Sequence, residues 1–221
     1  MKNNKGPNKT YQPDDRCVVL LSSGLDSSVN LYMAKRELQV ALAITFDYGQ
    51  RAAKNEIVKS RVLCQKLDVP HKVIHLDFFS DFSNSALHRT SVELPKNKAV
   101  SIDDLQVSHQ TARVVWVPNR NGVFLNVAAS VAEGLGAQFI VPGFNAEEAA
   151  TFPDNSHDFL RAIDKSFSFS THNRIHSLCF TVRLRKSEIV TLGRELNVPF
   201  KDLWPCYESG DVICGQCESC L

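Results

Sequence analysis

Apolar runs and helical-period stretches alternate along the first half of the chain. Cys17-Val18-Val19-Leu20-Leu21 is an unbroken apolar run, the pattern of a strand buried on both faces. It leads directly into the small-residue turn Ser22-Ser23-Gly24-Leu25-Asp26-Ser27-Ser28, and a helix is predicted from about Val29 to Leu38. Val40 to Phe46 reads as a second strand, ending in Asp47-Tyr48-Gly49-Gln50-Arg51. From Ala52 to Leu67 the apolar positions Ile57, Val58, Val62, Leu63 and Leu67 recur at helical spacing. Asp68-Val69-Pro70 closes that helix, and His71 to Leu76 gives a third strand. A β-α-β-α-β run of this kind predicts a doubly wound, mainly parallel α/β sheet, in which ligands bind beyond the carboxyl ends of the strands.

Phe78 to Val115 breaks the pattern. It mixes Ser, Asn, Pro and Lys with short apolar groups, and is expected to be a long insertion or lid with a short helix near Phe79 to Leu87. Regularity returns at Trp116-Val117-Pro118-Asn119-Arg120-Asn121. A helix is expected from Gly122 to Leu135 with Gly136 at its C-terminal end, then a strand over Phe139-Ile140-Val141-Pro142-Gly143. Pro153-Asp154 is expected to open a helix over Ser156 to Phe167. Ser177 to Val182 reads as a fifth strand and Lys186 to Leu196 as a last helix.

Composition narrows the class. The 221 residues suit one α/β domain with a small appended module. The domain is expected over 17–200, between a polar, mobile tail at 1–16 and a C-terminal segment at 201–221. Lys and Arg total 25 against 24 Asp and Glu, so net charge gives no pull toward nucleic acid or membrane. No apolar run is long enough to span a bilayer and no signal peptide is evident, so a cytoplasmic protein is expected.

Two features carry chemistry. In the turn Ser22–Ser28, hydroxyls and unpaired backbone N–H groups at a helix start can cradle phosphate. The same residues also suit an ordinary capped turn, and no G-x-x-x-x-G-K-[ST] lysine loop occurs anywhere. The second feature is Cys206-x7-Cys214-x2-Cys217-x2-Cys220. Paired C-x2-C thiolates from tight loops suit tetrahedral zinc, with Gly215 easing the turn. An iron–sulfur cluster fits less well because nothing else in the chain suggests redox chemistry. Four sulfurs leave no open coordination position, so the expected metal is structural.

Three further motifs stand in order behind the turn: Phe46-Asp47-Tyr48-Gly49-Gln50-Arg51, Val117-Pro118-Asn119-Arg120-Asn121 and Phe152-Pro153-Asp154, followed by the cysteines. Together with Ser22-Ser23-Gly24-Leu25-Asp26-Ser27, which is similar to the pyrophosphatase loop S-G-G-x-D-[ST], this set closely resembles the 7-cyano-7-deazaguanine synthase family from Val18 to Cys220. The resemblance implies an ATP-dependent carbon–nitrogen ligase of 7-deazapurine (queuosine) biosynthesis. Its substrates would be ATP, 7-carboxy-7-deazaguanine and ammonia, and its cofactors Mg2+ and Zn2+. It implies ATP binding by Ser22, Ser23, Gly24, Leu25, Asp26, Ser27 and Phe46, with Asp26, Arg51 and Arg120 in catalysis. It also implies substrate binding by Asn121, Glu148, Phe152 and Asp154, and zinc on Cys206, Cys214, Cys217 and Cys220. Trp116 and Phe152 are candidates to stack on a flat heterocycle. A homodimer is compatible with these features, and direct nucleic-acid binding is not expected.

The sequence departs from the family pattern in places. Ser23 stands where the loop has its first Gly, Ala52 where a His follows Gln-Arg, and Glu148–Ser156 differs along the base-binding side. Those departures motivate one alternative, a diverged relative joining the activated carboxylate to another amine, such as a protein amine; the loop type, with Arg174, Arg183, Arg185, Lys186 and Arg194 as a basic face, motivates another, a tRNA-modifying ATP pyrophosphatase.

Overall fold

β1 (Arg16–Leu20) lies at the centre of a five-stranded sheet, flanked by β2 (Gln39–Asp47) and β4 (Phe139–Val141). β3 (His71–His75) and β5 (His176–Ser177) form the edges, giving the order β3-β2-β1-β4-β5 with every pairing parallel. The computed structural model describes residues 11–97 and 105–220. Val18, Val19, Ile140 and Val141 are fully buried, as expected of central strands covered on both faces. Burying each such side chain contributes on the order of 1.5–3 kcal/mol.

Helices cover both faces: α1 (Leu25–Glu37), α2 (Ala53–Leu67), α5 (Arg120–Gly134), α7 (His157–Ser170) and α8 (Lys186–Glu195). One hydrophobic cluster gathers Val18, Ile44, Leu125, Ile140 and Phe167. The other gathers Val19, Leu31, Leu63, Val141 and Ile189, so alternate residues of β1 and β4 face opposite layers. The strand order reverses between β1 and β4, the switch point at which such sheets open a crevice.

Several elements differ from the sequence expectation. α1 begins at Leu25, not Val29, so Asp26 and Ser27 belong to its first turn. Among its described residues, the insertion holds two separate helices. α3 (Phe79–Phe82) stops early because Ser83 and Ser85 take over: Ser83 Oγ accepts the Ser85 N–H and Ser85 Oγ the Leu87 N–H. α4 (Leu105–Val115) was hidden because half of its buried stripe is polar, with Ser108 and Thr111 as buried as Ala112 and Val115.

β5 is far shorter than expected. Leu178 N–H still reaches Ile140 O, but Phe180 N–H turns to Asn30 Oδ1, ending the ladder. Pro153–Asn155 is a 3-10 turn of its own, and Ser156 caps α7 by accepting the Phe159 N–H at 3.1 Å. Residues 1–10 of the expected mobile tail lie outside the described residues. Its remainder is anchored, with Tyr11 edge-on to Phe180 and Arg16 already in β1.

Candidate active site and metal centre

The Ser-rich turn closes the C-terminal end of β1 and faces the switch-point crevice. Ser23, not a glycine, takes the left-handed conformation there, at φ 60°, while Gly24 sits in extended backbone as the cap of α1. Ser23 is fully buried, its carbonyl accepts the Trp204 N–H at 2.8 Å, and its Oγ has no partner. Ser22 and Ser27 join hydroxyls across the turn at 3.1 Å, and Ser27 Oγ also accepts the Ser22 N–H.

Opposite the turn, β4 ends in Pro142-Gly143. A Cβ on Gly143 would stand 2.5 Å from the Ser27 backbone, so the close approach of the chain after β4 to the first turn of α1 requires glycine there. Asn145, the cap of the short helix α6 (Ala146–Ala149), donates to Asp26 Oδ2 at 3.1 Å and accepts the Glu148 N–H. Asp26 Oδ1 has no partner. Burial, reinforced by the negative charge of Glu148, pushes the Asp26 carboxyl up to about 7. Asn30 locks the assembly from below, donating to Asp26 O and Thr181 Oγ1 while accepting from Phe180 N–H. No motif signals Gly143, Asn145 or Asn30, whose roles arise from contacts across more than a hundred residues.

A cavity of about 260 Å³ opens over these strand ends. Ser22, Gly24, Leu25, Asp26 and Ser27 line one side, and Phe46, stacked on Phe124 at 4.3 Å, lines another. Arg120, Asn121 and Glu148 also stand on its wall, whereas the buried Ser23 does not line it. Arg120 reaches Tyr48 Oη at 3.4 Å and Asn121 Oδ1 at 3.3 Å, while Glu148 lies 3.7 Å from Lys186 Nζ.

A side recess of about 40 Å³ adjoins the cavity, sharing Arg120, Glu148 and Tyr207 with it. Trp116 and Phe152 flank the recess with rings 3° from parallel and centroids 6.2 Å apart. Asp154 points a buried, partnerless Oδ1 there; burial raises its carboxyl, and the Arg120 charge opposes that rise.

Arg51 does not join them. Its guanidinium donates to the carbonyls of Arg89 and Val92 and meets Glu208 at 3.5 Å, and Arg51 is not among the residues lining the cavity. Those acceptors make it a clamp between the insertion and the C-terminal segment. Ala52 is buried beside Trp204, Cys206 and Cys217 in a small cluster, and it also lines the cavity.

The four cysteines of the C-terminal segment converge, with all sulfurs within 4.8 Å of one another. Cys217 and Cys220 Sγ are 3.5 Å apart, and Cys214 and Cys220 Sγ 3.9 Å. A tetrahedral zinc with bonds of about 2.3 Å would space its sulfurs by about 3.8 Å, so the cluster fits that ion. Glu208 and Cys214 N–H groups point at Cys206 Sγ, and those of Gln216 and Cys217 at Cys214 Sγ, each at 3.4 Å, as donors that favour thiolate. Gly215, at φ 67°, makes the second loop.

This segment forms part of the cavity wall through Cys206, Tyr207 and Ser219. Lys96 pairs with Cys217 as a β-bridge and with Glu208 at 3.0 Å, tying the insertion to the same loop.

A parallel doubly wound sheet, a hydroxyl-lined turn at its switch point and a four-thiol cluster beside the cavity define an α/β protein with an attached module that could hold a metal ion. Residues 16–221 match the model of the family described as queuosine biosynthesis protein QueC, and the chain belongs to that family. It is 55% identical over 207 residues to the 7-cyano-7-deazaguanine synthase of Bdellovibrio bacteriovorus, covering 93% of this chain and 90% of that protein. The synthase of Desulforamulus reducens is 46% identical, over 92% of this chain and 89% of the relative. Among solved structures, an NH3-dependent NAD synthetase from Campylobacter jejuni superposes with a TM-score of 0.44 at 17% identity, over 87% of this chain and 68% of that one. No helix among the described residues is long and apolar enough to cross a membrane.

Proposed function

We propose that this protein is an ATP-dependent ligase that converts 7-carboxy-7-deazaguanine and ammonia to 7-cyano-7-deazaguanine. The observation that carries the proposal is a phosphate-type turn, Arg120 and an aromatic recess opening onto one cavity, in a chain 55% identical to a protein named as this synthase.

The Ser22–Ser27 turn and the start of α1 receive the nucleotide phosphates, with Phe46 beside the base. Asp26 is the residue that would meet a magnesium ion carried in with them, whose charge offsets that of the phosphates. The deazaguanine is received at the recess that Trp116 and Phe152 line. Its ring N–H and amino group form one donor edge, which a carboxylate accepts in pairs, and the partnerless Asp154 oxygen supports that role. Arg120 and Asn121 then stand where the 7-carboxylate meets the nucleotide.

A carboxylate is a poor electrophile. Joined to phosphate as a mixed anhydride it gains a leaving group, and the shared cavity supplies proximity to the amine. The same activation applied to the amide oxygen lets dehydration give the nitrile. Zinc on the four cysteines would hold Tyr207 and Ser219 in the wall and supply no chemistry of its own.

Incubation with the carboxylate, ATP and ammonium, read by mass spectrometry, tests the reading. The nitrile is expected, and an amide as sole product would favour the diverged-ligase alternative.

A further inference from the structure

Of the carboxylates lining the main cavity, Asp26 belongs to the phosphate-type turn and Glu148 pairs with Lys186. Glu56, from the first turn of α2, belongs to neither and carries no role in any motif above. Gln50 fixes it. The Gln50 Oε1 accepts the Tyr48 N–H at 2.9 Å, while Nε2 donates to Phe46 O at 3.1 Å and to Glu56 Oε2 at 2.8 Å. Each end of that amide is committed, so Gln50 can only donate to Glu56, and the second Glu56 oxygen is left to the cavity. The charged groups around it are Arg120 from α5 and Asp47 at the end of β2. Burial pushes the Glu56 carboxyl up to about 7; Gln50 and Arg120 oppose this and Asp47 adds to it. A buried base poised near neutral pH is the type that transfers protons efficiently.

We propose that Glu56 is the proton acceptor for the attacking amine. The inference rests on the reading of the reaction given above. As the ammonia lone pair forms the C–N bond, the C–O bond to phosphate breaks and its electron pair leaves with the nucleotide phosphate. The nitrogen then carries one proton too many for a neutral amide, and that proton passes to the Glu56 carboxylate and on to solvent.

Glu56→Gln keeps the shape and an acceptor for Gln50 but cannot take a proton. With ammonium as nitrogen source, turnover should fall by about 10²–10⁴-fold, and the acid limb that remains after normalising for the share of free ammonia should disappear. Single-turnover ATP cleavage with the carboxylate and no amine should be unchanged, which also reports an intact fold. Hydroxylamine, whose nitrogen once bonded is the stronger acid and gives its extra proton to water more readily, should bring C–N bond formation back to within about tenfold of the unsubstituted protein, a factor worth about 1.4 kcal/mol. Unchanged turnover with ammonium overturns the role, as does loss of amine-independent ATP cleavage. If the unsubstituted protein cleaves no ATP with this carboxylate, the underlying activity fails and the Glu56 role falls with it.

Discussion

The rings of Trp116 and Phe152 lie 3° from parallel with centroids 6.2 Å apart, and Trp116 remains 39% exposed. Both rings line the recess that Asp154 also lines. Two parallel aromatic faces at an open recess suit a planar heterocycle far better than they suit a core. Trp116→Ala or Phe152→Ala should each raise KM for the deazaguanine about 3- to 10-fold, matching about 0.5–1.5 kcal/mol of aromatic contact. KM for ATP should barely move, and steady-state kinetics with each substrate varied separates the two.

Ser23 holds a conformation that the usual glycine would adopt without strain, and it buries a hydroxyl with no partner. Ser23→Gly relieves a left-handed strain of about 1–2 kcal/mol, offset by about 0.4–1 kcal/mol of added chain entropy in the unfolded state. The expected result is a melting temperature raised by a few degrees at most. Ser23→Ala removes only the hydroxyl and should stabilise through that route alone. Calorimetry on both variants distinguishes strain from the orphaned group.

Arg51 is expected to matter for stability rather than chemistry. Its donors hold Arg89 O, Val92 O and Glu208 together, and its side chain is only 12% exposed. Arg51→Met should cost about 1–3 kcal/mol in urea unfolding through the unpaired acceptors left behind. KM for ATP should stay within about twofold, a change below 1.4 kcal/mol. A selective loss of ATP affinity with unchanged stability would return Arg51 to the nucleotide.

Asp26 predicts a pH-dependent trade. Its folded carboxyl titrates near 7, above the ordinary 3.8, so folding favours the protonated form. Its contribution to stability is therefore intact below pH 3.8 and is lost as pH rises through about 7. Asp26→Asn should melt higher than the unsubstituted protein at pH 8, the gap closing toward pH 4. The same variant should lose ATP cleavage. Thermal scans across that range check the sign.

The strand-turn-helix order and the cysteine spacing were legible in the sequence because both are local patterns. The doubly wound sheet followed from alternating periods, and the C-x2-C loops place their own sulfurs. What stayed hidden was long-range or polar. α4 buries Ser108 and Thr111, which hydropathy does not flag, and β5 ends where Asn30 from α1 takes its backbone donor. Arg51 stands within a motif, yet its direction is set by carbonyls about forty residues on, at Arg89 and Val92. Glu56 lacked any local signal because its setting comes from Gln50 and Arg120, which the fold brings to it.

The metal module makes a separate prediction. Cys217 is fully buried among the other thiols, and Tyr207 and Ser219 flank it on the cavity wall. Cys217→Ser should lose bound zinc, lower the melting temperature and raise KM for the deazaguanine as that wall loosens. Metal analysis with thermal melting tests this; one zinc per chain with an unchanged melting point would contradict it.

In the proposed reaction one cavity activates the same carbon twice. The most direct measurement is ATP cleaved per nitrile formed, with 15N-ammonium as nitrogen source and the amide followed as it is made and consumed. The account predicts about two ATP cleaved for each labelled nitrile, one activation per C–O bond broken, with labelled amide rising and then falling. One ATP per product, with amide accumulating and no nitrile, would contradict it.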